Sequence, residues 1–540
     1  MSGRILHATR RVGVVLGHVL VYVLIWAGLV LLTAAAGIRF YWGTISVSQM
    51  LMNLVSVETD GGGGSVVWIG ILGIGVVPVL ITVGIAVGQH YRRRARRRRE
   101  EVRPARRSGG NDLRRARHRG GEDSRSGRRQ WILRTVSTTL VAAVVIGGAT
   151  AFSTTVGMGD YIRAANSDYD LGDHYVEPTV TSDADKRNLV LIFLESGEAT
   201  LEDEQLFEKD AFAPLKEVTG AADGWQSVED FQQYEGGGWT MAGLVGTQCG
   251  VPLKGADTAT GSSAPSNDLG GGADTYLGGL TCLGDVLDEH GYTSAFLGGA
   301  NASFAAKDVF LETHGYSEEK DLSDWRAAGE QERSFRSDWG LSDERLMANA
   351  RDEIDRLHAE AEATGEPFNL SMLTLDTHEP VHVYDYCDVD TQNVVTSVYS
   401  CSMTQVAGFV DYMKDQGYLE DTAVVITGDH VKHMSAGDAF HEQLDHHENR
   451  TVFNRIWVPG GDTRGGLRPG LDQLNLYPTI LEAAGLTLQD HAAGLGVSAF
   501  APEVPAGSAQ GMDPDAYSEL LNSLSPLFYA KAWAGRDSAP

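Results

Sequence analysis

Four side chains that can bind a cation stand at the downstream ends of apolar, strand-forming runs. Asn188-Leu-Val-Leu-Ile-Phe-Leu delivers Glu195, Thr422-Ala-Val-Val-Ile-Thr-Gly delivers Asp429 and His430, and Phe368-Asn-Leu-Ser-Met-Leu-Thr-Leu-Asp-Thr delivers His378. Charge stranded at the tip of a buried strand marks a site, and carboxylate and imidazole ligands suit a divalent metal. Thr240 adds a hydroxyl group. It follows Gly236-Gly-Gly-Trp and opens Met241-Ala-Gly-Leu-Val-Gly-Thr-Gln-Cys249, a short helical pattern. Unpaired N–H groups and the positive dipole end at a helix start stabilise an alkoxide and the phosphoryl oxygens that approach it. A threonine at such a place can equally be a plain cap.

These residues converge only if the strands carrying them share one sheet. Apolar runs alternate with helical patterns: a strand to Glu195, one at Tyr292 to Leu297, a helix from about Ser342 to Ala363, a strand to Asp376, a helix from about Ser400 to Gln416, and a strand to Gly428. That order predicts an α/β domain with a mostly parallel sheet flanked by helices, in which the carboxyl ends of neighbouring strands meet at one crevice. Gly255 to Gly279 reads as a surface loop, because no strand–Gly–helix order surrounds it. His433, His441, His446 and His447 lie in a polar stretch read as a solvated loop and are given no role. The expected boundaries are a membrane region at 1–152, a stalk at 153–186, a catalytic domain at 187–505 and a tail at 506–540.

The first of these rests on three runs long and apolar enough to cross a bilayer, about Val12 to Ile38, Ser65 to Gly88 and Val136 to Phe152. Between the second and third, from 91 to 130, lies a segment with 17 arginines. It has no interleaved aromatic residues, so it reads as a cytoplasmic retention loop and not as a nucleic-acid site. Everything after the third span is then expected outside, in a multi-pass protein of the bacterial plasma membrane. The net charge of −28 hides an asymmetry: residues 1–134 hold 22 of the 44 Lys and Arg but only 7 of the 72 Asp and Glu, leaving residues 135–540 at −43. Such a surface repels nucleic acid. All four cysteines, Cys249, Cys282, Cys387 and Cys401, fall in this acidic part. An even number outside the cytoplasm predicts two disulfides. Three pairings are possible, of which proximity favours Cys249–Cys282 with Cys387–Cys401.

Taken in order, Glu195, Gly-Trp-Thr240 with Gln-Cys-Gly-Val-Pro252, Leu-Gly-Gly-Ala-Asn301 with Thr-His-Gly-Tyr316, Trp339-Gly-Leu-Ser-Asp, Thr-Leu-Asp-Thr-His378 and Thr-Gly-Asp429-His430 resemble the phosphoglycerol transferase and lipoteichoic acid synthase family of the sulfatase and alkaline phosphatase superfamily. The resemblance runs from about Asn188 to Gly485. It implies that Glu195, Thr240, Asp429 and His430 hold one divalent metal, manganese first with magnesium or zinc as alternatives, and that Thr240 is also the nucleophile. It implies that His378 binds the substrate phosphate and that Asn301 and Lys307 lie near the phosphate or headgroup. Its donor would be phosphatidylglycerol at the membrane, its acceptor an envelope glycan or polymer.

Other readings differ in specific residues. A sulfatase would need Cys-x-Pro-x-Arg, whereas Cys249-Gly-Val-Pro252-Leu-Lys254 has its proline one place late and lysine for arginine. No Gly-x-Ser-x-Gly elbow supports a serine hydrolase. The alternatives are a phosphoethanolamine transferase of the same superfamily and a non-catalytic envelope-assembly protein.

Overall fold

The computed structural model describes residues 2–41, 68, 70–101, 116–255, 275–336, 339–433, 439–445, 447, 449–461 and 466–534. The chain divides into two compact units, one formed by Met1–Ile45 with Ser65–Met158 and the other by Ser46–Gly64 with Gly159–Pro540.

The first unit is helical. Helix α1 spans Ser2–Tyr41, α2 Val77–Glu101 and α3 Ala116–Thr155. Three segments in these helices and the turn before α2 are long and apolar enough to cross a membrane: Val15–Phe40, Ile71–Ala95 and Thr135–Thr155. Close packing of α1 on α3 depends on two glycines. A Cβ on Gly148 would lie 2.3 Å from the Gly28 carbonyl oxygen, so small residues at the crossing let the backbones touch. The Arg39 guanidinium donates to the Thr155 hydroxyl at 3.0 Å, and Tyr22 donates to Gln89 at 2.9 Å. Both helices flanking the arginine-rich segment run into it, as arginine's good helix propensity allows. Residues 102–115 of that segment lie outside the described residues.

In the second unit, a short ribbon pairs β1 (Val180–Ser182) with β8 (Thr487–Leu488), and six strands form the main sheet. They are β2 (Asn188–Leu194), β3 (Thr293–Gly298), β4 (Glu318–Lys320), β5 (Phe368–Leu373), β6 (Thr422–Gly428) and β7 (Asn454–Trp457). The order is β4-β3-β5-β2-β6-β7, parallel except for the antiparallel edge strand β7. Every residue of β2, β5 and β6 is buried, so alternate side chains feed two cores. Leu189, Leu191 and Phe193 face one and Val190, Ile192 and Leu194 the other. This two-sided burial explains why the strands read as continuous apolar runs.

Register places the polar tips together. Phe193 pairs with Leu373 on one side, and Leu194 pairs with Gly428 on the other. The residues that follow, Glu195, Thr374 and Asp429, therefore leave the sheet side by side. Glycine lets this end close: a Cβ on Gly428 would lie 2.2 Å from the Gly197 carbonyl oxygen.

Two segments expected outside the core pack into it. Within 153–186, Leu171 is fully buried with its N–H on the Ser525 hydroxyl at 2.8 Å, and Val176 bridges Gly494. In the expected tail, helices Pro514–Asn522 and Pro526–Ala532 bury Leu520, Leu521, Phe528 and Tyr529 in the same core as Leu171. The apolar residues of 153–186 stand isolated in a polar stretch without a period, so their contact is not readable locally. The helix expected from about Ser400 starts earlier: it runs Val394–Gln416, where the Asn393 side chain caps Val395 N–H. The cysteines form Cys249–Cys282 and Cys387–Cys401.

Candidate active site and metal centre

Glu195, Asp429 and His430 meet at the carboxyl end of β2 and β6, with ligand atoms all within 4.8 Å of one another. Their burial is nearly complete, at 3%, 0% and 1% exposure. The sequence around them fixes each one. Glu195 is held through its backbone: its N–H donates to the Thr374 hydroxyl at 2.9 Å, and its carbonyl accepts from Thr377 at 2.6 Å. Asp429 Oδ1 accepts from the N–H groups of Ser196 and His430, both at 2.8 Å. Its other oxygen, Oδ2, has no hydrogen-bond partner among the described residues. His430 turns Nδ1 to the Val431 carbonyl at 2.8 Å; a carbonyl only accepts, so Nδ1 carries a proton and the lone pair of the neutral ring is on Nε2. That Nε2 lies 3.6 Å from both Glu195 Oε1 and Asp429 Oδ2.

Thr240 opens helix α4 (Thr240–Cys249) but does not cap it; Trp239, in extended conformation, occupies the cap position. The Thr240 hydroxyl instead points at Glu195 Oε2, 3.4 Å away. Gly243 makes this possible, because a Cβ there would lie 1.9 Å from the Asp429 carbonyl oxygen. The first turn of α4 thus approaches the carboxylates as only a bare backbone can. The Asp429 carbonyl also accepts from Gln473 Nε2 at 2.7 Å.

The electrostatics are those of an incomplete charge balance. Burial, then the neighbouring Glu195 charge, pushes the Asp429 carboxyl well above the ordinary range. Burial also acts to raise Glu195, yet His378, His430, the Ser196 hydroxyl and His433 together hold it below its usual value. Two buried carboxylates, an imidazole lone pair and an orphan oxygen facing one point form a donor set that a divalent cation fits. The second triad of potential ligands, Cys249, Cys282 and His314, does not fit one. Its sulfurs are joined in the disulfide, and His314 is engaged by Asp285 at 2.6 Å.

His378 stands at the same end of the sheet, half-buried, with Nδ1 on the Glu379 carbonyl at 2.7 Å and its ring 4.0 Å from that of Trp339. Burial lowers its pKa against the pull of Glu195. Asn301 follows β3 and accepts from the Ser303 N–H and hydroxyl, at 2.9 and 2.7 Å, in a closed turn. Lys307 is buried with its ammonium 5.9 Å from the Phe296 ring centre. Burial lowers its pKa, while Glu319, Asp321 and Glu195 oppose the shift. Neither Asn301 nor Lys307 bonds directly to Glu195, Asp429 or His430.

Three neighbours of the site went unassigned in the sequence. The His433 ring lies 4.9 Å from that of His430, and burial with that imidazole lowers its pKa to about 3. The polar composition around it concealed this; the Asp429-His430-x-x-His433 spacing was the available signal. Lys432 pairs with Glu379 at 2.7 Å, joining the loop after β6 to the loop bearing His378. Ser196 bonds both carboxylates. His446 lies outside the described residues.

Residues 255–486 match the family model described as Sulfatase. Phosphoglycerol transferase I of Escherichia coli O139:H28 is 32% identical over 281 residues, which make up 50% of this chain and 34% of that protein. Phosphoglycerol transferase I of Salmonella paratyphi B is 32% identical over 278 residues, 49% and 34% of the two chains. The chain thus spans about a third of the length of the curated relatives it matches. Among solved structures, the lipoteichoic acid synthase LtaP from Listeria monocytogenes aligns at 15% identity with a TM-score of 0.47, covering 67% of this chain and 97% of that one. A protein in the alkaline phosphatase superfamily from Vibrio parahaemolyticus aligns at 18% identity and 0.45, covering 70% and 95%.

Proposed function

We propose, from the match of residues 255–486 to the Sulfatase family model and from the likeness to phosphoglycerol transferase I, a membrane-anchored phosphotransferase that moves glycerol phosphate from phosphatidylglycerol to an envelope glycan or polymer through a covalent Thr240 intermediate. The observation that carries the reading is the Thr240 hydroxyl: half-buried, released from capping, and aimed at Glu195 beside Asp429 and His430. The relatives named phosphoglycerol transferase support the choice of transferred group. Cys249, whose thiol would be needed for sulfatase-type chemistry, is bound in a disulfide.

Glu195, Thr240, Asp429 and His430 would hold one divalent cation, with manganese the first candidate and magnesium or zinc the alternatives. When bound, such a cation lowers the pKa of a hydroxyl ligand and neutralises charge on phosphoryl oxygens. In the first half-reaction, the Thr240 oxygen forms a bond to phosphorus and the bond to the diacylglycerol oxygen breaks; diacylglycerol leaves as the alcohol. The proton lost by Thr240 ends on the diacylglycerol oxygen. In the second half-reaction, an acceptor hydroxyl oxygen forms a bond to phosphorus, the bond from phosphorus to the Thr240 oxygen breaks, and the acceptor's proton ends on that oxygen. The Thr240 proton is directed at Glu195 Oε2. N–H groups in the first turn of α4 face the phosphoryl oxygens, at the positive end of the helix. His378, whose Nδ1 is turned to the Glu379 carbonyl, presents Nε2 to the phosphate and binds it as an N–H donor when that nitrogen is protonated. Asn301 and Lys307 serve the phosphate or the glycerol hydroxyls. The three apolar helical segments would anchor the chain in the membrane that carries its lipid donor.

The test is the intact mass of the full chain in detergent after exposure to phosphatidylglycerol. A glycerol phosphate adduct on the peptide containing Thr240, lost in Thr240→Ala, is expected. An adduct with ethanolamine phosphate from phosphatidylethanolamine would reassign the headgroup. Absence of any adduct together with absence of diacylglycerol release would overturn the reading.

A further inference from the structure

Ser196 holds the two acidic side chains of the site at once, from a backbone conformation that a serine rarely adopts. Its φ is +52°, in the left-handed region, and it is 5% exposed. From there its N–H donates to Asp429 Oδ1 and its hydroxyl donates to Glu195 Oε1, each at 2.8 Å. Its own carbonyl accepts from the Glu198 N–H at 2.9 Å and the Tyr399 hydroxyl at 3.2 Å. The conformer is therefore over-determined by its surroundings, the condition under which local strain persists at a functional site.

The residue type is informative. Glycine would take this φ without a steric cost, and Gly197 is its very next neighbour, so the turn itself does not require a serine. What serine adds is one hydroxyl, and that hydroxyl occupies Glu195 Oε1. Asp429 Oδ1 is likewise occupied, by two N–H groups, which leaves Asp429 Oδ2 without a partner. Ser196 thus anchors one oxygen of each carboxylate, Asp429 Oδ1 and Glu195 Oε1, the latter also facing His430 Nε2 at 3.6 Å, while Glu195 Oε2 turns to Thr240 and Asp429 Oδ2 toward His430 Nε2. Anchoring of this kind fixes the direction of the remaining lone pairs before a cation arrives.

We propose that Ser196 is the positioning residue of the metal centre, its hydroxyl orienting Glu195 for a divalent cation while its N–H orients Asp429. The proposal rests on the metal-centre reading given above. Any residue but proline retains the N–H, so substitution isolates the hydroxyl. Ser196→Ala removes the hydroxyl and keeps the strain. Ser196→Gly removes the hydroxyl and relieves the strain. A merely structural role would move metal affinity with stability, and the two variants would then part company.

The experiment is calorimetric titration of Mn2+ and, separately, Zn2+ into the full-length protein in detergent, with thermal unfolding of the metal-free protein as the second measurement. Expected is a loss of metal affinity of about ten- to a hundredfold in both variants, although metal-free Ser196→Gly melts at or above wild type and Ser196→Ala does not. Wild-type affinity in both variants, or in Ser196→Gly alone, would overturn the positioning role and leave the metal centre standing. If the wild type bound neither cation, the metal-centre reading and this one would fall together.

Discussion

The α-carbon of Gly243 presses so close to Asp429 that an added methyl group would lie 1.9 Å from the Asp429 carbonyl oxygen. That oxygen is in backbone flanked by β6, so it cannot yield, and Gly243 lies three residues along the helix from Thr240. Gly243→Ala should therefore push α4 outward and draw the Thr240 hydroxyl from Glu195. A shift of about 1 Å at reacting atoms costs on the order of a hundredfold in rate, and overpacking costs about 1–3 kcal/mol of stability. Diacylglycerol release and thermal unfolding would be measured together; wild-type rates would show that α4 need not sit this close.

Helix α4 is also fastened at its far end. Cys249, its last residue, is joined to Cys282, which caps the Leu283–Glu289 helix. The sequence separation of 33 gives a loop whose closure contributes about 3–4 kcal/mol in the chain-entropy account. Replacing both cysteines by serine should lower the denaturant midpoint by a corresponding amount. The slope of the unfolding curve should rise slightly, since an unfolded chain freed of the cross-link exposes more surface. A midpoint within experimental error of wild type would mean the helix is held by packing alone.

How far these arrangements could be read in the sequence varied with how local their causes are. Glu195, Asp429 and His430 were legible because each interrupts a buried strand at its end, and parallel pairing in register does the rest. Thr240 was legible as a helix start, but its release from capping depends on Trp239 taking the cap position. Ser196 and Lys432 were not legible, because Asp429 and Glu379 reach them from other strand ends; His433 had its spacing from Asp429-His430 as a signal, concealed by the polar stretch around it. The same holds for Leu171 and for Phe528 and Tyr529, whose burial depends on segments more than 300 residues apart coming together.

A pH effect is expected from Glu319 on β4. Burial, reinforced by Asp321, pushes its carboxyl up to about 7, and its Oε1 has no hydrogen-bond partner among the described residues. A folded-state pKa above the unfolded one means that the fold keeps a proton the unfolded chain has released. The resulting stabilisation is full below about pH 4.5 and lost as pH rises through about 7. Glu319→Gln resembles the protonated form, so it should match wild type at low pH and exceed it at pH ~8 by on the order of 1 kcal/mol, after discounting for solvent screening of a partly exposed group. Melting curves at both ends of this window check the sign, and equal stability at the alkaline end would refute it.

Asp429→Asn should act in opposite directions with and without metal. In the metal-free protein, Asp429 and Glu195 are two buried acidic groups with Oδ2 of Asp429 unpartnered. An asparagine keeps Oδ1 for the N–H groups of Ser196 and His430 and places a neutral N–H2 where Oδ2 was, a donor that Glu195 can accept. The metal-free variant should therefore melt at or above the wild type, since a like-charge neighbour has been removed. Added Mn2+ should stabilise wild type by about 2.7 kcal/mol at a hundred times its dissociation constant. The variant, having lost a carboxylate ligand and its charge, should gain little. A chelator titration followed by thermal unfolding distinguishes the two proteins: the wild-type curve should fall as metal is withdrawn, and the variant's should stay where it is. If both fell together, Asp429 would not be a ligand.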